Sequence, residues 1–154
     1  SAIMQQGGTV DKYIGDAVMA FWGAPEPIDD GPGRACLVAL ECQKRLAEAN
    51  ARWQQEGRPQ LITGIGINVA RVVVGNFGSS DRLNYSLLGD GVNLAARLEK
   101  LNRDYGTRIL ISESTRGYVE GRFKLRLVDS VVAKGRTQAE NVYELLEGGE
   151  SAVP

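Results

Sequence analysis

The sequence has 154 residues, 43% of them hydrophobic and 24% charged, enough for one globular domain with a core of its own. A net charge of -1 gives no bulk attraction to nucleic acid or to an anionic membrane, and no apolar run is long enough to span a bilayer. Histidine is absent, so Ser-His and Cys-His nucleophile systems are excluded; two cysteines alone make a poor zinc site, and metal chemistry would have to use oxygen ligands, which favours magnesium, manganese or calcium.

In chain order, Ser1 to Gln6 reads as the tail of a helix ended by Gly7-Gly8. The stretch TVDKYIGDAVMAFW, from Thr9, alternates and then turns wholly apolar. It predicts a hairpin: a strand with Val10, Lys12 and Ile14 on one face and Asp11 and Tyr13 on the other, a Gly15-Asp16 turn, and a buried strand from Ala17 to Trp22. A loop rich in proline and glycine follows. A long helix is predicted from Arg34 to about Glu56, with Cys36, Ala39, Leu40, Gln43, Leu46 and Ala47 on one stripe. Cys36 and Cys42 point apart on that helix, so no disulfide is expected, and free thiols fit a reducing, cytoplasmic compartment.

Leu61 to Asn68 alternates as a strand whose second face carries Gly64 and Gly66, a sign that something packs very close there. Val72-Val73-Val74 reads as a buried strand and Tyr85 to Leu88 as a short one. A helix from about Val92 to Tyr105 puts Leu94, Leu98 and Leu101 on its core side. Arg108 to Ile111 is a predicted strand, Ser112 caps a short helix ending near Val119, and Lys124 to Asp129 and Asn141 to Leu146 are the last strands. Hairpins mixed with helical crossovers argue for an α+β fold.

Three groups could carry chemistry. Lys12 and Asp16 flank the hairpin tip, although a snorkelling lysine and a turn aspartate would look the same. Asn93 and Arg97, four apart on a helix, share a polar face opposite the leucines. An amide and a fixed guanidinium suit a ribose and a polyphosphate, but a solvated helix face has the same composition. Lys134-Gly135-Arg136 is a basic turn of the kind that closes on phosphates or simply faces water.

Together, KYIGDAVMAFWGAP, VVVGNFGSSDRLNYSLLGDGVNLAARLE and the late KGR turn resemble the class III nucleotide cyclase catalytic domain, most of all that of bacterial adenylate cyclases. The resemblance covers Gly7 to about Glu147. It implies a ferredoxin-like, antiparallel or mixed sheet with helices on one face, in a domain over residues 1–147 followed by a flexible tail over 148–154. It also implies that the sequence starts inside the family's second helix, without the first strand and helix that carry one metal-binding aspartate. The activity implied is conversion of ATP to 3′,5′-cyclic AMP and pyrophosphate at the interface of a homodimer, with two magnesium or manganese ions per complete site.

By the same resemblance Asp16 matches a metal-binding aspartate, and Lys12 the lysine that selects adenine, where guanine-specific relatives usually have glutamate. A lysine donates to the adenine N1 acceptor and opposes the N–H that guanine presents there. Ser86 matches the second base-reading position, Asn93 the ribose-orienting amide, and Arg97 the guanidinium that stabilises charge on the transferring phosphoryl group. Arg136, and with it Arg82, would hold the terminal phosphates. Upstream sensor or regulatory domains are expected in the parent protein, and neither nucleic acid nor membrane contact by this domain. Val69-Ala70 stands where relatives carry Thr-Gly or Ser-Gly, which predicts backbone strain if that position needs a positive φ. The alternatives are a catalytically silent cyclase-like module that regulates by dimerising, a guanylate cyclase, and a generic α+β nucleotide- or RNA-binding sandwich. Lys12 argues against guanine, and the charge balance and lack of an aromatic stacking pattern argue against RNA.

Overall fold

The computed structural model describes residues 1–14, 17–24, 26–76, 85–132 and 139–148, and for Lys12, Ile14, Asn76 and 85–88 the backbone alone. Its elements are α1 (Ala2–Gln5), β1 (Thr9–Ile14), β2 (Ala17–Phe21), α2 (Gly31–Gln55), β3 (Ile65–Ile67), β4 (Val73–Asn76), β5 (Tyr85–Leu88), α3 (Asp90–Tyr105), β6 (Ile109–Ser112), α4 (Glu113–Val119), β7 (Phe123–Val132) and β8 (Ala139–Gly148). One mixed sheet has the order β3-β6-β8-β7, with β3 parallel to β6 and the other pairs antiparallel. The parallel pair needs a helical crossover, which α3 supplies. β1–β2 and β4–β5 form two separate antiparallel ladders.

The α+β class with a mixed sheet is as expected, but helices on one face is not. β6 is buried at all four positions. Its Ile109 and Ile111 join Cys36 and Ala39 of α2 and Val119 of α4, while Leu110 joins Leu94 and Leu98 of α3. A strand that is apolar on both faces has to be covered on both, so the helices flank the sheet on each side.

The glycines at 64 and 66 explain how α3 gets close enough. A Cβ on Gly66 would land on the Ala95 carbonyl oxygen and the Glu99 amide nitrogen, and one on Gly64 would sit 2.9 Å from the Asn102 Cβ. Asn102 is buried there; its amide donates to the carbonyls of Ile65 (3.0 Å), Glu99 (3.1 Å) and Leu98 (3.2 Å) and accepts from the Thr107 hydroxyl (2.8 Å). Backbone groups at the helix–strand seam are thereby satisfied without water.

Only Ile65–Ile67 of the predicted Leu61–Asn68 strand is strand. Asn50 of α2 takes both backbone groups of Leu61, at 2.8 Å each, and Gln43 donates to the Thr63 carbonyl at 3.1 Å. Side chains of α2 thus occupy positions that a neighbouring strand would fill.

The two strands of the hairpin form over Thr9–Ile14 and Ala17–Phe21. The second stops before Trp22 and is buried only at Phe21, with Val18 half exposed. The Gly15-Asp16 turn lies outside the described residues, and the faces of the first strand need a correction. The register shifts between Val10 and Lys12, a β-bulge at Asp11. Lys12 and Ile14 pair with Met19 and Ala17 and keep matching ladder positions, whereas Val10, opposite Ala20, falls on the other parity. The turn into β1 is held by Trp22 Nε1 and Arg34 Nη1, which donate to the Gln6 carbonyl at 3.1 and 3.3 Å.

Candidate active site

Two of the seven predicted site residues lie fully within the described structure. Asn93 and Arg97 follow one another on the same face of α3, as their spacing requires, with Leu94 and Leu98 buried on the other side. Asn93 is exposed and Arg97 half-buried. Arg97 Nη1 donates to the carbonyl of Val132, the last residue of β7, at 2.9 Å. A guanidinium has five N–H donors, so this bond orients the side chain and leaves the others for a ligand. Arg136 follows Val132 by four positions in the sequence, beyond the described end of β7.

Of Lys12 and Ser86 the backbone alone is described: Lys12 lies in β1 opposite Met19, and Ser86 in β5 opposite Gly75. Asp16, Arg82 and Arg136 lie outside the described residues, as does the predicted turn of Lys134 to Arg136. The ladder pairs Ile14 with Ala17, which leaves Gly15-Asp16 as a two-residue link in the chain between them.

A divalent ion is implied by the resemblance. Among the described residues no group of three or more acidic or cysteine side chains gathers. The described residues alone make no metal cage; the donor implied by the resemblance is the Asp16 carboxylate, which lies outside them and is an oxygen ligand of the type magnesium and manganese take.

The N-terminus of α3, which carries Asn93, is fastened from below. Asn68 Nδ2 donates to the Gly91 carbonyl at 2.9 Å, and Asn68 Oδ1 accepts from the hydroxyls of Ser112 (2.6 Å) and Ser114 (3.1 Å). Ser112 in turn caps α4 through the Thr115 amide, and the Thr115 hydroxyl reaches the Ile67 carbonyl at 3.3 Å. One asparagine thus links the end of β3 and the starts of α3 and α4. Beside it, Ala70 has no positive φ, so the strain expected of Val69-Ala70 is not there. Its methyl instead fills the space in front of Gly91, where an added Cβ would approach it to 2.5 Å.

The C-terminal end of the same helix carries a feature no motif marks. The Tyr105 hydroxyl donates to Asp129 Oδ2 at 2.6 Å, and the Ser130 amide donates to Asp129 Oδ1 at 2.7 Å. These bonds hold the Asp129 carboxyl below its usual range, and the bond to Asp129 is the main reason the Tyr105 phenol is raised. The partners are 24 residues apart and belong to different elements, so no local spacing in the sequence betrays them.

Both cysteines are free, as expected, and burial pushes the Cys36 thiol up to about 12. No described helix is long and apolar enough to cross a membrane.

Residues 3–147 match the sequence family described as the adenylate and guanylate cyclase catalytic domain. The chain is 37% identical over 139 residues to adenylate cyclase 1 of Rhizobium meliloti, covering 90% of this chain and 21% of that protein. It is 40% identical over 152 residues to an adenylate cyclase of Anabaena cylindrica, covering 94% of this chain and 29% of that one. Its structure is similar to the guanylyl cyclase Cya2, with a TM-score of 0.82 and 34% identity over 97% of this chain and 75% of the other. The adenylyl cyclase CyaB from P. aeruginosa has a TM-score of 0.84 and 28% identity over 97% of this chain and 77% of its own. The chain spans less than a third of the length of these two adenylate cyclases from R. meliloti and A. cylindrica.

Proposed function

Because the chain belongs to the adenylate and guanylate cyclase catalytic domain family, we propose that it cyclises ATP to 3′,5′-cyclic AMP and pyrophosphate, as one half of a homodimeric site. The ribose 3′ oxygen bonds to the α-phosphorus, the bond from that phosphorus to the β-phosphate bridge breaks, and the hydroxyl proton leaves to solvent. The observation that supports this best is the shared polar face of Asn93 and Arg97 on α3, with Arg97 tied to the end of β7 at Val132.

In this reading Arg97 stabilises charge on the phosphoryl group as it transfers, and Asn93 holds the ribose so that its 3′ oxygen is in line. Arg136 and Arg82 bind the outer phosphates, Lys12 donates to adenine N1, and the Ser86 hydroxyl bonds the base edge. Asp16 would hold a divalent ion, magnesium or manganese, which would supply charge to neutralise the triphosphate and would acidify the 3′ hydroxyl, work for which the chain has no histidine. Upstream sensor domains and a cytoplasmic setting belong to the same reading.

A second reading, cyclisation of GTP, is favoured by the likeness to the guanylyl cyclase Cya2. It is opposed by Lys12, whose cation meets an N–H at guanine N1. The deciding experiment measures cyclic AMP and cyclic GMP formed with manganese by the full-length protein carrying this domain, beside its Asp16→Ala variant. Cyclic AMP from the wild type and none from the variant is the expected result. Predominant cyclic GMP would move the assignment to guanine, and neither product would leave a regulatory, non-catalytic module.

A further inference from the structure

Two hydrogen bonds bracket the packing of α3 on β7. Arg97 donates to the Val132 carbonyl at 2.9 Å, and Tyr105 donates to the Asp129 carboxylate at 2.6 Å. Arg97, Leu101 and Tyr105 are four apart and make one stripe on the helix. Between the two polar ends lies an apolar filling, with Leu101 and Val128 packed in the same cluster as buried Val131. The dimensions agree: eight helical residues rise about 12 Å and three strand residues about 10 Å, with helix and strand running in opposite directions. Both bonds are therefore held at once without stretching either element.

Asp129 also accepts from the Ser130 amide, and the β7–β8 register shifts between Leu127 and Asp129. A bulge re-aims the strand beyond it. The carboxylate that receives Tyr105 thus sits at the point where β7 changes direction before its last three residues.

We propose that Tyr105 and Asp129 form a positioning pair for the nucleotide site, fixing the end of β7 on α3 and so holding in place the Val132 carbonyl that orients Arg97. This rests on the role given above to Arg97. Neither member of the pair touches the reacting atoms; each acts through the strand end. The Arg97 guanidinium has to meet the transferring phosphoryl group, and a small misplacement of such a group lowers the rate far more than the affinity.

The test uses the full-length protein with Tyr105→Phe, which keeps the ring and removes one hydroxyl, and Asp129→Asn, which keeps the shape. The expected result for each is kcat lowered about tenfold with KM for ATP changed less than about twofold, the signature of an interaction that acts in the transition state. Adding Tyr105→Phe to Arg97→Ala should lower kcat no further. Amide hydrogen exchange of the unliganded protein should speed up at Val131 and Val132 in Tyr105→Phe and stay unchanged in β6. Unchanged exchange at those two residues overturns the proposal whatever the activity. Faster exchange with unchanged kcat, or a further loss on top of Arg97→Ala, also overturns it and leaves a bond that only adds stability. A wild-type protein that forms no cyclic nucleotide would defeat the cyclase reading instead, and the exchange result would still decide whether the pair holds the end of β7.

Discussion

Arg122 grips Asp30 with both terminal nitrogens, at 2.7 and 2.8 Å, joining the turn after α4 to the start of α2 across 92 positions of sequence. Asp30 is also the N-cap of α2, accepting from the Gly33 amide at 3.2 Å, and it sits in the left-handed region at φ 53° to do both. The guanidinium hydrogen bond is the main cause that holds the Asp30 carboxyl below its ordinary 3.8. A depressed folded value means that the pair stabilises fully above the unfolded value and stops doing so as pH falls through the folded one. Both groups are partly exposed, so Arg122→Ala should lower stability by only about 1 kcal/mol at neutral pH. Thermal melting of the two proteins from about pH 6 down to about pH 3 checks this: their midpoints should converge below about pH 4. A gap that stays constant across that range would mean that the ion pair contributes nothing.

Ala70 and Gly91 share the room of one methyl group. Gly91→Ala should destabilise by roughly 1–3 kcal/mol through overpacking. Moving the methyl across the contact, with Ala70→Gly and Gly91→Ala together, should recover most of that loss. Urea midpoints of the two single variants and the double variant make the comparison, and simple additivity would refute the shared-space account.

Gly66 faces backbone atoms of α3, which have no rotamer to escape into. Gly66→Ala should therefore lose about 3 kcal/mol or more, whereas an alanine at Gly117, which has open space around it, should be tolerated or slightly stabilising. Chemical denaturation of both variants reads the contrast directly.

Base selection gives a fourth test. If Lys12 donates to adenine N1, Lys12→Glu should shift the ratio of kcat/KM for ATP over GTP toward GTP by about tenfold or more. Ser86→Ala should weaken the preference less, since a hydroxyl both donates and accepts. An unchanged ratio in Lys12→Glu would remove this lysine from the base pocket.

Local chemistry made several elements readable before any coordinates. Ser112 announced α4, and the helix ends at Val119 as its sequence suggested. Gly64 and Gly66 announced a close approach, and the approaching element is α3. Other features depend on partners far away. Asn50 and Gln43 shorten β3 by satisfying backbone groups from a helix, and the bulge at Asp11 shifts the alternation of β1. Nothing in either window encodes them. The second helical face of the sheet followed from β6, a run so short that its apolar pattern does not say which helix will cover which side. A four-residue spacing put Asn93 and Arg97 on one face of α3, as the structure has them, whereas Tyr105 and Asp129 meet only through the packing of α3 on β7.

The burial of Cys36 gives the domain a built-in clock. Its thiol is wholly enclosed between α2 and the sheet and pushed up to about 12, so an alkylating reagent meets neither the sulfur nor its thiolate while the core is closed. Labelling of Cys36 then proceeds only as fast as α2 lifts from the sheet. On the same helix, Cys42 is only partly buried and is open to the reagent sooner. The ratio of the two labelling rates separates fraying at the surface of α2 from cooperative opening of the whole domain, with no probe added to the protein.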